Sequence, residues 1–207
     1  GAGKSTTLAA LLRAIAEARA AHVVSVEQPV EIVHTVARGV FVQYESPSHV
    51  PSLADGVALA LAQGAEVIAL SEITDAASAH AALHAAEAGA CVLATIAASS
   101  SAAAIERVLE LLGEPLRART SALLAEHLRL VTHQILLPQA IGHGRVPALE
   151  LVPGTPQLAE LITEDTLDRL PELLRTRRAT GMVSQEDAVA ALASSGVIQT
   201  PTPPKAR

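Results

Sequence analysis

Six residues at the start of the chain are of the types that bind phosphate groups: Gly1-Ala2-Gly3-Lys4-Ser5-Thr6. Glycines let the backbone curl so that its N–H groups point at phosphate oxygens. The lysine adds a positive charge for the outer phosphates, and the serine hydroxyl is a ligand for Mg²⁺. The pattern is the second half of the phosphate-binding loop G-x-x-x-x-G-K-[ST], whose first glycine and preceding strand would lie before Gly1.

This loop predicts a nucleotide site with ATP and Mg²⁺ as its cofactors. The residues expected to bind them are Gly1, Gly3, Lys4, Ser5 and Thr6. The alternative is a glycine-rich turn that only caps the following helix. The use of lysine favours the phosphate loop, because the sequence has just two lysines, Lys4 and Lys205.

Two glutamates at the ends of predicted strands are candidates for catalysis. Glu72 follows the apolar run Val67-Ile68-Ala69-Leu70-Ser71, and Glu27 ends a β-branched run that begins at His22. A carboxylate at the carboxyl end of a parallel strand faces the ligand crevice, where nucleotide hydrolysis needs one to organise Mg²⁺ and water. We expect Glu27 and Glu72 to be catalytic, and Glu72 to join Ser5 at Mg²⁺, directly or through water. Solvated acids at strand ends are the alternative.

Four other polar residues have simpler interpretations. Asp75 precedes a predicted helix and is expected to cap it, with an intersubunit contact as the alternative. Cys91 lies in an apolar run and is expected to be a buried, inert thiol. His80 and His84 are four residues apart, a spacing that can bind metal, but no third ligand follows at a suitable distance. We expect both histidines to be surface or packing residues.

The composition narrows the class of protein. Half of the 207 residues are hydrophobic, yet Phe41 and Tyr44 are the only aromatic residues, so the core must consist of Ala, Leu, Val and Ile. The net charge of −6 provides no basic footprint for nucleic acid. A single cysteine rules out an intrachain disulfide and fits a reducing compartment. No apolar run approaches the ~20 residues of a membrane-spanning helix.

Predicted strands and helices alternate along the first half of the chain, which indicates an α/β fold with a mostly parallel sheet covered by helices. The predicted strands are 22–27, 39–44, 66–71, 90–95, 130–137 and 145–152. The predicted helices are 4–20, 52–63, 75–88, 99–112, 116–129, 155–163, 167–178 and 184–194. We expect a nucleotide-binding domain over 1–152, a small helical subdomain over 153–199 and a disordered tail over 200–207.

The order of these motifs resembles that of the type IV pilus and type II secretion motor ATPases. The likeness runs through the loop, the segments 24–31, 67–72 and 85–89, and the late stretches 136–138 and 144–150. The resemblance implies a RecA-like P-loop NTPase core in a hexameric or mixed ring on the cytoplasmic face of the inner membrane. It further implies nucleotide between subunits, an inner-membrane platform protein as partner, and coupling of ATP hydrolysis to pilus retraction or secretion.

By the same resemblance, Lys4 and Ser5 match the Walker A residues, Glu72 the Walker B glutamate and Glu27 a candidate general base. The departures concern charged groups. The family's Glu-Asp-Pro box reads Glu27-Gln28-Pro29, two arginine positions hold Ala58 and Ala62, and the His box reads 95-TIAA-98 without histidine. Cations aimed at the transferring phosphoryl group are worth ~10³–10⁵ in rate, so weakened catalysis is expected.

Three functions stay open from the sequence. The first is an ATPase motor of low activity, and the second is a ring subunit or regulator that binds nucleotide without hydrolysing it. Arg38, Arg107 or Arg129 could replace the missing cations in the first case. The third is a small P-loop kinase, which would need a basic lid such as the cluster of Arg175, Arg177 and Arg178.

Overall fold

Strands and helices alternate over the first half of the chain, as predicted. The computed structural model describes residues 1–35, 38–113, 117–176 and 181–199. The strands of this half are β1 (His22–Glu27), β2 (Val40–Glu45), β3 (Val67–Glu72) and β4 (Cys91–Thr95). The helices are α1 (Lys4–Ala18), α2 (Leu53–Ala62), α3 (Ala76–Glu87) and α4 (Ser101–Leu112).

The second half contains a two-stranded hairpin and more helices. Helix α5 (Arg117–His127) precedes β5 (Leu130–Pro138) and β6 (Arg145–Pro153), and then come α6 (Pro156–Thr163), a short 3₁₀ helix (Leu167–Arg169), α7 (Leu170–Thr176) and α8 (Gln185–Ser194). The predicted segment 167–178 therefore divides into a 3₁₀ turn and α7. The predictions for residues 116, 177, 178 and 200–207 lie outside the described residues.

The four strands of the first half form one parallel sheet in the order β2-β1-β3-β4. The register pairs Glu27 with Glu45 and Glu72 with Thr95, so the carboxyl ends of all four strands meet at the same edge. The ligand crevice of such a sheet lies at that edge.

Alternate residues of the strands supply two separate cores, because successive side chains point to opposite faces of a sheet. Val24 and Ile68 pack with α2 and α3 on one face. Val23 and Val67 pack with Leu12 of α1 on the other. Helix α1 is thereby fixed beneath the sheet with its first turn near the crevice, which is the position a phosphate-binding helix requires.

A third core joins the C-terminal helices to α4. Ile105 and Leu109 of α4 pack with Val152 of β6 and with Leu158 and Leu170 of the later helices. Since α4 also contributes Leu112 to the core under α2 and α3, this helix links the two halves of the molecule.

Two sequence interpretations can be checked directly. Asp75 is an N-cap, as expected, because its carboxylate accepts a 2.7 Å hydrogen bond from the backbone N–H of Ser78. The prediction that Cys91 is buried was wrong: the residue is exposed. It begins β4, which has a pairing strand on one side only in the described sheet. Among the described residues, no helix combines the length and apolar character needed to cross a membrane.

Candidate functional site

The phosphate-binding sequence adopts a tight turn into α1. Gly3 has a left-handed φ of 84° and is the N-cap of the helix, and its carbonyl accepts a 3.0 Å hydrogen bond from the N–H of Thr7. A Cβ atom at position 3 would lie 2.8 Å from Nε2 of Gln134. Backbone angle and space both demand glycine here, and the positive end of the helix dipole faces the mouth of the turn.

Lys4 and Glu72 meet beside this turn. The Nζ atom of Lys4 lies 3.2 Å from Oε2 of Glu72, and their side chains are 33% and 41% exposed. At this exposure an ion pair contributes roughly 0–1 kcal/mol to stability, so a bound phosphate group can replace the carboxylate at little cost. The structure brings together the loop lysine and the strand-end glutamate that the sequence singled out.

Glu27 lies in a polar network at the end of β1. Its Oε1 accepts hydrogen bonds from Ser25 Oγ at 2.7 Å and from Gln43 Nε2 at 2.9 Å. Gln43 Nε2 also donates to the carbonyl of Ile32 at 3.0 Å, and Gln43 Oε1 accepts from the N–H of His34 at 2.9 Å. One glutamine therefore fixes both the Glu27 carboxylate and the loop after β1.

His34 closes this network on the β2 side. Its ring stacks on Phe41 with 4.5 Å between the ring centroids and 21° between the planes. Burial lowers the pKa of His34, and the charge of Glu27 opposes that effect in part. The lowered pKa favours the neutral ring at pH 7, so His34 adds little positive charge to the crevice.

A pocket at the carboxyl edge of the sheet contains most of these groups. The polar residues of its lining are Ser5, Ser25, Glu27, Gln28, Glu31, His34, Ser71, Glu72 and Thr95, and the apolar ones are Leu8, Ala9, Leu12, Pro29 and Ile32. Gly1, Gly3 and Thr6 lie outside this lining, at the turn and first helical residues beside it.

The pocket lining is acidic. It includes three carboxylates and no arginine among the described residues, with Lys4 at its border on Glu72. A polyphosphate would therefore need a divalent cation to enter. Hydroxyl and carboxylate oxygens are the ligands that Mg²⁺ prefers, and Ser5 and Glu72 offer one of each in the same pocket, so the donor set fits this ion.

The arginines considered as substitutes lie elsewhere. Arg107 bonds to Glu110 at 3.1 Å on α4, and Arg129 donates to the carbonyl of Glu126 at 2.6 Å. Arg38 precedes β2 and is exposed, but it is outside the pocket lining. Ala58 and Ala62 are exposed on α2, which packs on the face opposite α1.

Two other sequence candidates are not part of the pocket. His80 and His84 are exposed on α3, and no described group of three His, Cys, Asp or Glu side chains could hold a metal ion. Of the basic cluster considered for a lid, Arg175 donates to the carbonyl of Pro171 within α7, while Arg177 and Arg178 lie outside the described residues.

Sequence reasoning missed the glutamines of this site. Gln43 pairs with Ser25 on the face that carries Glu27, so its role becomes visible only once the register of β1 and β2 is known. Gln134 carries no sequence signal, because it contacts Ala2 and Thr7 from more than 120 positions away in the chain.

Known proteins are similar to this chain in sequence and in fold. Residues 1–190 match the family described as Type II/IV secretion system protein. Over 198 residues, or 96% of this chain, it is 32% identical both to the twitching motility protein of Neisseria gonorrhoeae and to the type IV pilus retraction ATPase PilT of Pseudomonas aeruginosa. A crystal structure of the pilus retraction motor PilT with bound ADP superimposes with a TM-score of 0.85 at 28% identity, covering 98% of this chain and 59% of that one.

The chain belongs to the Type II/IV secretion system protein family, and it has the α/β RecA-like P-loop fold. It spans about half the length of the curated relatives, 53% of the Neisseria protein and 57% of the Pseudomonas protein.

Proposed function

We propose that this chain binds Mg²⁺–ATP in the pocket at the carboxyl edge of its sheet and hydrolyses it slowly, as part of a pilus or secretion motor. The observation that carries the proposal is the 3.2 Å contact between Lys4 and Glu72. It unites the phosphate loop with a strand-end carboxylate beside Ser5. The PilT structure with bound ADP supports a nucleotide as the ligand.

Each residue has a role in this proposal. Gly1 and Gly3 of the turn and Thr6 in the first turn of α1 surround the phosphates with backbone N–H groups, while Lys4 pairs with the outer phosphates. Ser5 and Glu72 hold Mg²⁺, which neutralises charge that develops on the phosphate oxygens.

Glu27 is proposed to act as the general base. Both hydrogen bonds to its carboxylate fall on Oε1, which among the described residues leaves Oε2 to accept a proton from an attacking water.

Slow turnover follows from the charge of the pocket. The described lining includes no arginine, and the segment after β4 reads Ile96-Ala97-Ala98 where the family has a histidine. The phosphate-binding loop, its lysine and its serine suffice for nucleotide binding, whereas further cations are needed to stabilise the transition state.

The shortage of cations in the described lining also favours a second candidate function, a ring subunit or regulator that binds nucleotide without turnover. The kinase alternative loses its support with the family assignment.

The cellular setting is proposed from the relatives. We expect a homo-hexamer or mixed ring, peripheral on the cytoplasmic side of the inner membrane, that contacts a platform protein of a pilus or secretion machine and no nucleic acid. In that ring, residues 1–152 would be the nucleotide-binding domain and 153–199 a helical subdomain. The names of the relatives, a twitching motility protein and a pilus retraction ATPase, support pilus retraction as the process served.

Calorimetric titration with ADP and Mg²⁺ tests the nucleotide site. Lys4→Ala should weaken binding roughly 10- to 100-fold, since it removes a charged hydrogen bond to phosphate. Lys205→Ala removes the only other lysine and should bind like the unchanged protein. Equal affinity of the Lys4→Ala variant and the unchanged protein would refute the site.

A further inference from the structure

The side chain of Gln134 reaches the phosphate-binding turn from the hairpin in the second half of the chain. Its Nε2 donates a 2.6 Å hydrogen bond to the carbonyl of Ala2, and its Oε1 accepts a 2.6 Å bond from the hydroxyl of Thr7. One amide thus contacts the residue before Gly3 and a residue in the first turn of α1. The two ends of the turn are fixed relative to each other through this single group.

The close approach of this glutamine depends on the glycine between its two partners. The Nε2 atom lies 2.8 Å from where a Cβ atom of residue 3 would be, and a methyl group of Leu136 lies 3.4 Å from the same point. The backbone of Gly3 is left-handed, a conformation that residues with a Cβ atom rarely adopt. Gly3 is therefore needed for the turn itself and for the entry of the amide.

The opposite edge of the hairpin is fixed to the rest of the molecule. Gln134 pairs with Leu149 of β6, and the neighbouring Ala148 accepts a 3.2 Å hydrogen bond from Gln185 of α8. Gln185 also contacts Nδ1 of His133, the residue before Gln134, at 3.2 Å. Gln134 therefore projects from a strand that is hydrogen-bonded to α8 through the hairpin, and it fixes the position of the turn relative to that hairpin.

The chemistry of the side chain suits both contacts at once. A glutamine amide has an acceptor oxygen and a donor nitrogen, so it can accept from a hydroxyl and donate to a carbonyl. A glutamate could do only the first, and a lysine only the second. The Thr7 hydroxyl donates its hydrogen bond to Gln134. The phosphates would therefore be bound by the backbone N–H groups, Lys4 and Ser5.

We propose that Gln134 is a positioning residue for the phosphate-binding turn, and that it links nucleotide affinity to the placement of the β5–β6 hairpin. The proposal rests on the proposed nucleotide site. Without the amide bridge, residues 1–7 lose two hydrogen bonds that hold the turn in its binding shape, and the free turn has to be ordered when nucleotide binds.

The first test compares Gln134→Ala with Gln139→Ala, which removes an exposed glutamine from the turn end of the same hairpin. Affinity for ADP with Mg²⁺ is measured well below the melting temperature of each variant. We expect Gln134→Ala to bind about tenfold more weakly and Gln139→Ala to bind like the unchanged protein. If the unchanged protein binds ADP and Gln134→Ala binds it equally well, the positioning role is wrong while the nucleotide site stands.

The second test separates positioning from general destabilisation. Thr7→Val removes the hydroxyl that Gln134 accepts from, whereas Thr7→Ser retains a hydroxyl. We expect weaker ADP binding only for Thr7→Val. In a double-mutant cycle the loss from Thr7→Val should shrink once Gln134 is alanine, because the partner is gone. Full additivity of the two losses would contradict the bridge.

A third measurement works without nucleotide. Hydrogen exchange of the amides of residues 2–7 should be faster in Gln134→Ala than in Gln139→Ala, because the turn opens more often. Unchanged exchange would contradict the bridge even if the protein binds no ADP. Failure of the nucleotide site and failure of the positioning role are therefore distinguishable.

Discussion

At the scale of single residues, the environment of Glu27 bears most directly on turnover. Ser25 and Gln43 both donate to the same carboxylate oxygen. The position of Glu27 at the end of a β-branched run could be predicted from the sequence. Its partner Gln43 could not be identified before the register of β1 and β2 was known, because the two residues lie 16 positions apart.

Gln43→Ala should lower kcat for ATP hydrolysis about tenfold with little change in KM. The variant releases Glu27 and the loop at Ile32 and His34 but leaves Lys4 and Ser5 intact. Gln63→Ala is the matched control, because Gln63 bonds to the hydroxyl of Tyr44 instead. Steady-state phosphate release measures both, and an unchanged kcat in Gln43→Ala would contradict the proposed role of Glu27.

His34 should make folding sensitive to mild acid. Because burial lowers its folded pKa below the ordinary value of about 6.5, the unfolded chain takes up the proton first as the pH falls. The stability associated with His34 is therefore complete above about pH 6.5 and is lost as the pH drops through the lowered folded pKa.

His34→Phe removes this titration and retains a ring that can stack on Phe41. We expect the free energy of unfolding of the unchanged protein to fall more between pH 7 and pH 5 than that of the variant. Urea unfolding at several pH values measures the difference. Parallel pH profiles would contradict a lowered pKa for His34 in the folded protein.

At the scale of elements, side-chain caps explain why the helix starts agree with the sequence pattern. Ser52, Asp75, Ser100, Thr155 and Ser184 each accept a bond from the N–H three residues later. Such residues before an apolar run are a local signal that a sequence reveals. The sequence predicts the C-terminal ends of helices less well: α1 ends at Ala18, two residues before its predicted end.

Asp75→Ala should cost about 1 kcal/mol of unfolding free energy at pH 7, because the first turn of α3 loses its cap. Asp75→Asn is the control, since asparagine caps helices about as well. The bond from the Ser78 N–H lowers the pKa of Asp75, so the carboxylate is charged at pH 7 and accepts fully. Equal destabilisation by Ala and Asn would indicate that charge, not capping, is what α3 requires.

Long-range contacts between elements could not be predicted from the sequence. Alternating strands and helices indicate a parallel sheet, but the order β2-β1-β3-β4 and the contact of β5 with the phosphate turn arise from packing across the chain. The exposure of Cys91 could not be predicted for the same reason, since the sequence pattern of an apolar edge strand is the same as that of a central strand.

At the scale of the whole molecule, α4 links two cores. Leu112 packs under α2 and α3, and Leu109, only 1% exposed, packs with the C-terminal helices. The predicted boundary at residue 152 therefore lies within a shared apolar cluster that includes Val152. We expect the described chain to unfold in one cooperative transition.

Leu109→Ala should reduce the unfolding free energy by about 2–5 kcal/mol through the cavity it leaves. The loss should shift a single transition seen by both circular dichroism and calorimetry. Leu11→Ala, which truncates an exposed leucine of α1, should change stability little. Two separate transitions in the Leu109→Ala variant would show that the C-terminal helices fold independently of α4.

The central claim is a nucleotide site that is assembled but poor in catalytic cations. Phosphate release from ATP with Mg²⁺ tests it most directly, with Lys4→Ala and Glu27→Gln variants beside the unchanged protein and the Pseudomonas aeruginosa PilT as a comparator. We predict turnover that both substitutions abolish and that is at least about 100-fold slower than the comparator's, in line with the missing cations. A rate equal to that of the comparator, or one that survives Lys4→Ala, would contradict the account.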